Sequence, residues 1–366
     1  MNIEKLKSEF LDLYGQGDTR IFFSPSRINL IGEHIDYNGG KVLPGAIEIG
    51  TYAVVRATGD NRLLLASQNM EARVEVDILD LKHEEDHDWA NYPKGVVYFM
   101  KEAGYKVGGM EILIEGNIPN GAGLSSSASL ELLMAKMVSV LFNEGRIPRI
   151  ELVKLSQKAE NDFVGVKCGI MDQFAIGMGK KNKAILLDTN TLDYEYIDMD
   201  LKVSIIVIMN TNKRRELSDS KYNERREECE VALRILRQHR DIQYLCDLSP
   251  EDFEEVKGYI KEENIRSRAQ HAVYENHRVA EASSALKEGD IPKIGKLLIQ
   301  SHSSLRDLYE VTGKELDAMV AAANAFPFCL GARMTGAGFG GCAIAIVKKD
   351  KVEEFIQFVD RQDEDE

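Results

Sequence analysis

One short stretch of the sequence concentrates side chains that could do chemistry. RINLIGEHIDYNGG runs from Arg27 to Gly40 and places an arginine, two carboxylates and a histidine beside an apolar segment. Carboxylates and an imidazole accept or share hydrogen bonds in fixed directions, which suits a ligand with several hydroxyl groups. Taken alone, the acidic residues could instead cap local turns, and the histidine could be structural. The polar candidates are Arg27, Glu33, His34 and Asp36.

A second stretch, IPNGAGLSSSASLELL from Ile118 to Leu133, has the composition of a phosphate-binding turn. Its Gly-Ala-Gly turn lets the backbone approach an anion, and three serines then open a predicted helix. The free N–H groups of a first helical turn point at such an anion, and the helix dipole favours negative charge. A lone serine would be an ordinary N-cap, but this pattern favours phosphate, and one hydroxyl could ligate Mg²⁺.

Two other glycine patterns do not fit the common nucleotide folds. MTGAGFGGC, from Met334 to Cys342, satisfies G-x-G-x-x-G, but too few residues follow it for a dinucleotide-binding βαβ unit. We interpret it as a loop that packs closely against another part of the molecule. GDIPKIGKL has one residue too many for a P-loop and a leucine where serine or threonine belongs. The sequence thus predicts a phosphate site outside both architectures.

Length, charge and cysteine content limit the class of protein. The chain has 366 residues, 44% of them apolar, which suits a globular protein with two lobes. A net charge of −14 disfavours a nucleic-acid surface but allows a local positive pocket for ATP. The five cysteines form no C-x-x-C pair, and we find no signal peptide or long apolar run. These features predict a cytoplasmic protein without a membrane segment.

The periodicity of the chain predicts the strands and helices that must position these motifs. Strand-like segments flank the first motif, and GGMEILIEGNIP alternates before the serine stretch. Helices are predicted at Ile3–Tyr14, from near Ser126 to about Phe142, over 150–163, and over most of residues 217–325. KVSIIVIMN and GCAIAIVKK are predicted strands, and the chain ends in a predicted acidic tail. This irregular order indicates an α+β fold, with a lobe boundary near residues 195–200.

Five stretches together resemble the galactokinases within the GHMP small-molecule kinases. They are RINLIGEHIDYNGG, DWANYPKGV, IPNGAGLSSSASLELL, AENDFVGVKCGIMDQF and ARMTGAGFGGCAIAIV. The resemblance covers residues 20–347 and implies a two-lobed α+β GHMP kinase fold. The N-terminal mixed α/β lobe would span residues 1–198 and the C-terminal ferredoxin-like lobe residues 199–366, with the active site between them. It also implies that ATP and D-galactose give α-D-galactose 1-phosphate and ADP.

The resemblance implies a role for each matching residue. Asp172 matches the general base for the sugar's anomeric hydroxyl, and Arg27 matches an arginine that stabilises charge on the phosphoryl group. Ser127 and Glu160 match the ligands of Mg²⁺. The implied sugar-contacting residues are Glu33, His34, Asp36, Gly169 and Tyr222. The implied ATP-binding residues are Ser67, Trp89, Gly121, Ala122, Gly123, Leu124, Ser125, Ser126 and Ser127.

Several alternatives stay open at the level of sequence. Trp89 could be a core aromatic residue, and Glu160 and Tyr222 could lie on solvated helix faces. Activity on N-acetylgalactosamine is undecided, whereas galacturonate would bring a like charge against Glu33. A sugar sensor without turnover is disfavoured because Arg27, Asp172 and the serine stretch are all present. The expected partners are D-galactose and ATP, without nucleic acid or membrane, and we expect a monomer.

Overall fold

The computed structural model describes residues 1–119, 122–213 and 218–363. The helices are α1 (Ile3–Tyr14), α2 (Asn91–Glu102), α3 (Ser126–Phe142), α4 (Arg149–Lys158), α5 (Met171–Met178), α6 (Ser218–Leu236), α7 (Pro250–Val256), α8 (Glu263–Glu288), α9 (Ile291–Ser304), α10 (Lys314–Ala325) and α11 (Val352–Asp363). The strands are β1 (Arg20–Asn29), β2 (Lys41–Val42), β3 (Pro44–Ala57), β4 (Arg62–Ser67), β5 (Val74–Asp77), β6 (Met110–Gly116), β7 (Lys183–Asp188), β8 (Tyr194–Asp198), β9 (Ser204–Asn210), β10 (Cys329–Thr335) and β11 (Cys342–Lys348).

The chain forms two compact units, each built from several stretches of sequence. The first unit comprises Met1–Arg27, Ala46–Ile118 and Ser125–Gly179. The second unit comprises Ile28–Gly45, Pro119–Leu124 and Lys180–Glu366. The division predicted between residues 198 and 199 stays a prediction.

The first unit is built around a five-stranded sheet in the order β1-β3-β6-β4-β5. β3 and β6 are antiparallel, while β4 runs parallel to β6. The amphipathic helix α1 packs Leu6 and Phe10 against Val54 and Leu113 of the sheet. Burying each such side chain stabilises the fold by about 1.5–3 kcal/mol. Helix α3 packs against α2, α4 and α5, so the serine stretch enters a helix held on three sides.

The second unit contains two three-stranded sheets, β10-β11-β9 and β2-β7-β8. β11 is the central strand of the first, and its residues from Cys342 to Val347 are buried, which explains its continuous apolar sequence. Helix α9 lies directly on β10. A Cβ atom on Gly295 would lie 2.1 Å from the carbonyl oxygen of Leu330, so this helix–strand contact requires glycine.

Most predicted elements are confirmed. The helix predicted at Ile3–Tyr14 matches α1, and the one predicted from near Ser126 to about Phe142 matches α3. The helical stretch predicted over 150–163 is confirmed as α4 followed directly by a π-helical segment, Ala159–Val164. Within the described residues, no helix combines the length and the apolar character needed to cross a membrane.

The acidic segment at the end of the chain is helical in the residues that the structure describes there. Helix α11 runs from Val352 to Asp363 and buries Phe355 and Val359, which lie four positions apart on one helical face. The ring of Phe355 lies 5.5 Å from that of Phe326. The spacing of the apolar residues in this segment is that of a helix. The many charged residues between them make this spacing hard to recognise in the sequence.

Candidate functional site

The first unit brings Arg27 and Asp172 into direct contact. Arg27 lies in β1 and is buried, while Asp172 lies in the first turn of α5 with its side chain 30% exposed. Arg27 donates from Nε to Asp172 Oδ1 over 2.8 Å and from Nη2 to Oδ2 over 2.7 Å. A two-pronged pair of this kind fixes the plane of the carboxylate, and the exposed fraction leaves it accessible to a ligand.

Ser125 adds a third donor to the same carboxylate. It precedes α3 with φ 60° and ψ 54°, in the left-handed region that serine seldom adopts. Its hydroxyl donates a hydrogen bond to Asp172 Oδ2 instead of capping α3. The N-cap alternative is therefore wrong for this serine, and the strained backbone aims its side chain at the predicted base.

The rest of the serine stretch forms the start of α3. Ser126 and Ser127 are its first two residues, whose N–H groups belong to the turn without carbonyl partners inside the helix. Upstream, Gly123 has φ 70°, as a tight turn requires, and Ala122 and Leu124 are buried. Gly121 lies outside the described residues, so its predicted contact with ATP stays a prediction.

A buried acidic cluster lies behind Asp172. Gln173 Nε2 donates to Glu160 Oε2 over 2.6 Å and to Glu131 Oε2 over 3.0 Å. Burial, and next the charge of Asp172, raise the pKa of Glu160 to about 7, although hydrogen bonds from Cys168 and Ser127 act against this shift. Ser127, the other predicted metal ligand, is thus close enough to Glu160 to influence its pKa.

Within the described residues, no group of three or more His, Cys, Asp or Glu side chains is placed to hold a metal ion, so a cation at this cluster would need other ligands as well. Burial, and next the charge of Glu160, raise the pKa of Glu131 well above its usual range. Concentrating carboxylates away from water is costly unless a positive charge compensates them. The π-helical segment that carries Glu160 is a form found often at functional sites. A hydroxyl and a carboxylate that converge in this way suit Mg²⁺, with other oxygen ligands from nucleotide and water.

The three remaining candidates of the first unit lie on different elements of its fold. Trp89 is 6% exposed, and its indole N–H donates to the carbonyl of Ala72 over 3.2 Å, as expected for the core-aromatic alternative. Ser67 ends β4, and its hydroxyl accepts from the N–H of Asn69 over 3.1 Å. Gly169 lies in the link between the π-helical segment and α5. The roles of these residues stay predictions.

In the second unit, Glu33 is buried and ion-paired. Its Oε1 accepts from Arg333 Nη2 over 2.6 Å and from the N–H of Gly336 over 2.7 Å. Gly336 opens the glycine loop that follows β10, which confirms that this loop packs closely against another motif. The sequence does not show this pairing, since the two charged residues are 300 positions apart.

His34 is hydrogen-bonded through both ring nitrogens. Nε2 lies 3.0 Å from the carbonyl oxygen of Ala337, which can only accept, so Nε2 carries the proton. Nδ1 therefore accepts from the hydroxyl of Tyr37 over 2.7 Å. The Tyr37 hydroxyl lies 2.8 Å from that of Tyr309, which lies 3.1 Å from Cys229 Sγ. This chain of contacts fixes the tautomer of His34 and ties the sugar motif to the glycine loop.

Asp36 and Tyr222 lie near this histidine. Asp36 starts a short 3₁₀ turn, and its carbonyl accepts from the Thr189 hydroxyl over 2.9 Å. The ring of Tyr222, on α6, lies 5.3 Å from that of His34 and 5.5 Å from that of Tyr37. The second unit thus gathers the predicted sugar residues Glu33, His34, Asp36 and Tyr222 into one neighbourhood, whereas Gly169 belongs to the first unit.

Several supporting residues are not predicted from the sequence. Gln173 directly follows Asp172, and Arg333 interrupts the otherwise apolar strand β10. A lone arginine within a buried strand requires an acidic or polar partner, so the sequence could have indicated a functional or structural role for Arg333. Glu131 and Tyr309 offered none, because a carboxylate or tyrosine within a helical sequence is usually a solvated or packed side chain.

Three family models match the chain. The galactokinase galactose-binding signature matches residues 8–57. The GHMP kinases N terminal domain matches residues 91–180, and the GHMP kinases C terminal matches residues 282–365. These spans contain, in order, the sugar motif, the serine stretch with Asp172, and the glycine loop.

Known proteins are similar over nearly the whole chain. The galactokinases of Clostridium tetani (strain Massachusetts / E88) and Ligilactobacillus salivarius (strain UCC118) are 60% and 54% identical. Each alignment covers 97% of this chain, and they cover 91% and 92% of the two relatives, respectively.

Solved structures show the same likeness. The Lactococcus lactis galactokinase complexed with galactose is 48% identical, with a TM-score of 0.96 over 98% of this chain and 94% of that chain. The mevalonate kinase of Methanococcus jannaschii is 20% identical, with a TM-score of 0.69 over 94% and 96% of the two chains, a likeness of fold alone.

Proposed function

The chain belongs to the galactokinase family of the GHMP kinases, and we propose that it transfers the γ-phosphoryl group of ATP to the anomeric hydroxyl of D-galactose. The products are α-D-galactose 1-phosphate and ADP. The α+β GHMP kinase fold with N-terminal and C-terminal domains, expected from the sequence, is confirmed by the same matches. The position of the active site between the lobes stays a prediction.

The observation that carries this proposal is the grouping of Arg27, Ser125 and Asp172 at the start of α3. Asp172 accepts the proton of the anomeric hydroxyl as that oxygen attacks the γ-phosphorus and ADP leaves. Arg27 holds the carboxylate in place and offsets negative charge on the transferring phosphoryl group. The first turn of α3 supplies N–H donors and a favourable dipole for the phosphates.

We propose Ser127 and Glu160 as the protein ligands of a Mg²⁺ ion that accompanies ATP. The influence of Ser127 on the pKa of Glu160 and the burial of Glu131 and Glu160 support this assignment. When bound, the ion neutralises charge on the nucleotide phosphates. Gln173 orients Glu160 through a hydrogen bond to its Oε2.

Sugar recognition is proposed for Glu33, His34, Asp36, Gly169 and Tyr222. Carboxylates that accept hydrogen bonds from hydroxyls discriminate strongly, because a sugar lacking the matching hydroxyl leaves a buried polar group unpaired. The two ring nitrogens of His34 already have protein partners, so its contribution includes holding Tyr37 and the glycine loop.

The remaining assignments follow from the family. Ser67, Trp89 and the turn from Gly121 to Leu124 are proposed to contact ATP. We also propose a monomer in a reducing, cytoplasmic setting. The latter is supported by the cysteine content, because five is an odd number and no two cysteines form a C-x-x-C pair.

The proposal is tested by measuring ADP release with ATP and Mg²⁺ across a panel of acceptors: galactose, glucose, N-acetylgalactosamine, galacturonate, arabinose and mevalonate. Turnover restricted to galactose and its close analogues is expected. Galacturonate should be the poorest galactose analogue because its carboxylate would meet Glu33. Binding of galactose and ATP without ADP release would indicate a sugar sensor and refute the proposed activity.

A further inference from the structure

The orientation of Glu33 is set by groups far from it in the sequence. Its Oε1 accepts hydrogen bonds from Arg333 Nη2 and from the N–H of Gly336. It also lies 3.4 Å from the hydroxyl of Thr335, whose single proton has a nearer acceptor in the Asn29 carbonyl, at 3.2 Å. Arg333 and Thr335 lie in β10, and Gly336 follows that strand directly. Glu33 is 1% exposed, so its protein hydrogen-bond partners, and not solvent, fix the orientation of its carboxylate.

Arg333 is itself locked in place. It is fully buried, and its five N–H groups have acceptors in the second unit. These acceptors are the carbonyls of Met334 (2.8 Å) and Asn29 (3.3 Å), Ser301 Oγ (3.1 Å), Glu275 Oε1 (3.5 Å) and Glu33 Oε1 (2.6 Å). Because a guanidinium group is planar and rigid, five acceptors leave it one orientation.

The charges of this network balance in pairs. Glu275 accepts from Arg278 Nε over 2.7 Å on Oε2, while its Oε1 faces Arg333. Arg278 therefore compensates the negative charge of Glu275. The positive charge of Arg333 is then left to compensate that of Glu33. Glu275 Oε1 also accepts from the N–H of Gly32 over 3.1 Å, so the backbone before Glu33 is tied to the same network.

We infer that Arg333 is a positioning residue that sets the sugar selectivity of this chain, by holding Glu33 in the orientation that accepts a hydrogen bond from one sugar hydroxyl. The inference rests on the proposed function, since it assigns no separate ligand. Lysine cannot replace this arginine, because an ammonium group cannot bridge Glu33, Glu275, Ser301 and the Asn29 carbonyl in one plane.

The test compares Arg333→Lys with a matched control, Arg278→Lys, in the same network. Galactose binding is measured by calorimetry without ATP, and KM is measured for both substrates. Arg333→Lys is expected to raise the Kd and KM for galactose about tenfold or more, the scale of one misplaced charge-assisted hydrogen bond. The KM for ATP should change less than about twofold. Arg278→Lys should leave the galactose Kd near the wild-type value, because Arg278 contacts Glu275 and not Glu33.

Monodeoxygalactoses separate positioning from general damage. In the wild type, the analogue that lacks the hydroxyl contacted by Glu33 should bind more weakly than galactose. Glu33→Gln and Arg333→Lys should both reduce that penalty for the same analogue and leave the penalties for the other analogues unchanged. A purely structural role of Arg333 would weaken all analogues in parallel.

Three results would overturn the inference: an unchanged galactose Kd in Arg333→Lys, an equal rise of KM for both substrates, or the same effect in Arg278→Lys.

If Arg333→Lys does not fold, Ser301→Ala decides, since it removes one acceptor of Arg333 without touching Glu33. It should raise the galactose Kd about two- to fivefold, and an unchanged Kd would refute the positioning role. ADP release by the wild type tests the proposed function separately.

Discussion

Replacing Asp172 with asparagine tests the proposed base most directly. The carboxylate accepts two hydrogen bonds from Arg27 and one from Ser125. An amide of the same shape has one accepting oxygen, so its NH₂ group must face a donor and at least one bond to Arg27 is lost. Arg27 is 3% exposed, and its charge would remain buried with an incomplete partner.

The expected magnitudes differ for stability and for turnover. One charge-assisted hydrogen bond contributes about 1–2 kcal/mol here, at the low end of its range because the Asp172 side chain is partly exposed. The Tm should therefore fall by only about 2–8 °C. Loss of a general base lowers kcat by about 10²-fold or more. Turnover should thus fall far beyond what the stability loss explains.

The assay combines kcat from coupled ADP release, Tm from calorimetry, and the Kd values of galactose and Mg·ATP. Asp172→Asn should bind both ligands within about threefold of the wild type. Ser125→Ala is the matched control, because it removes one donor and keeps the carboxylate, and its kcat should fall much less. Near-normal turnover in Asp172→Asn would remove this residue from the chemistry. Loss of ligand binding in parallel with turnover would make it a structural residue.

Further predictions concern the sugar, the metal and pH. Glu33→Ala should raise the KM for galactose more than that for ATP, and an equal rise would mean that Glu33 mainly stabilises the second unit. Glu160→Gln should raise the Mg²⁺ concentration for half-maximal ADP release about tenfold or more, with an unchanged galactose Kd; an unchanged Mg²⁺ requirement would refute the assignment. Burial lowers the pKa of His271 to about 4 from an unfolded value near 6.5, so the unfolded chain binds a proton first as pH falls. The free energy of unfolding should therefore decrease from pH 6.5 to 4, and His271→Gln should flatten that decrease in urea titrations; an identical slope would contradict the shift.

The sequence alone determined the features that depend on neighbouring residues. The period of apolar residues located both α1 and α3. The first motif, the serine stretch and the glycine loop carried the resemblance from which fold and family were predicted. They could do so because each motif combines several residue types at a fixed local spacing. Arg27 and Asp172 were named from motif position, and their contact is a tertiary fact that supports both assignments.

Only the tertiary structure decided how these residues are held. The pairing of Arg333 with Glu33, the two partners of His34 and the link from Gln173 to Glu131 and Glu160 join elements far apart in the chain. Such contacts follow from which helices and strands pack together, and local periodicity does not contain that information. The left-handed backbone of Ser125 likewise depends on a distant acceptor, because its hydroxyl bond to Asp172 offsets a strain that the local sequence would avoid.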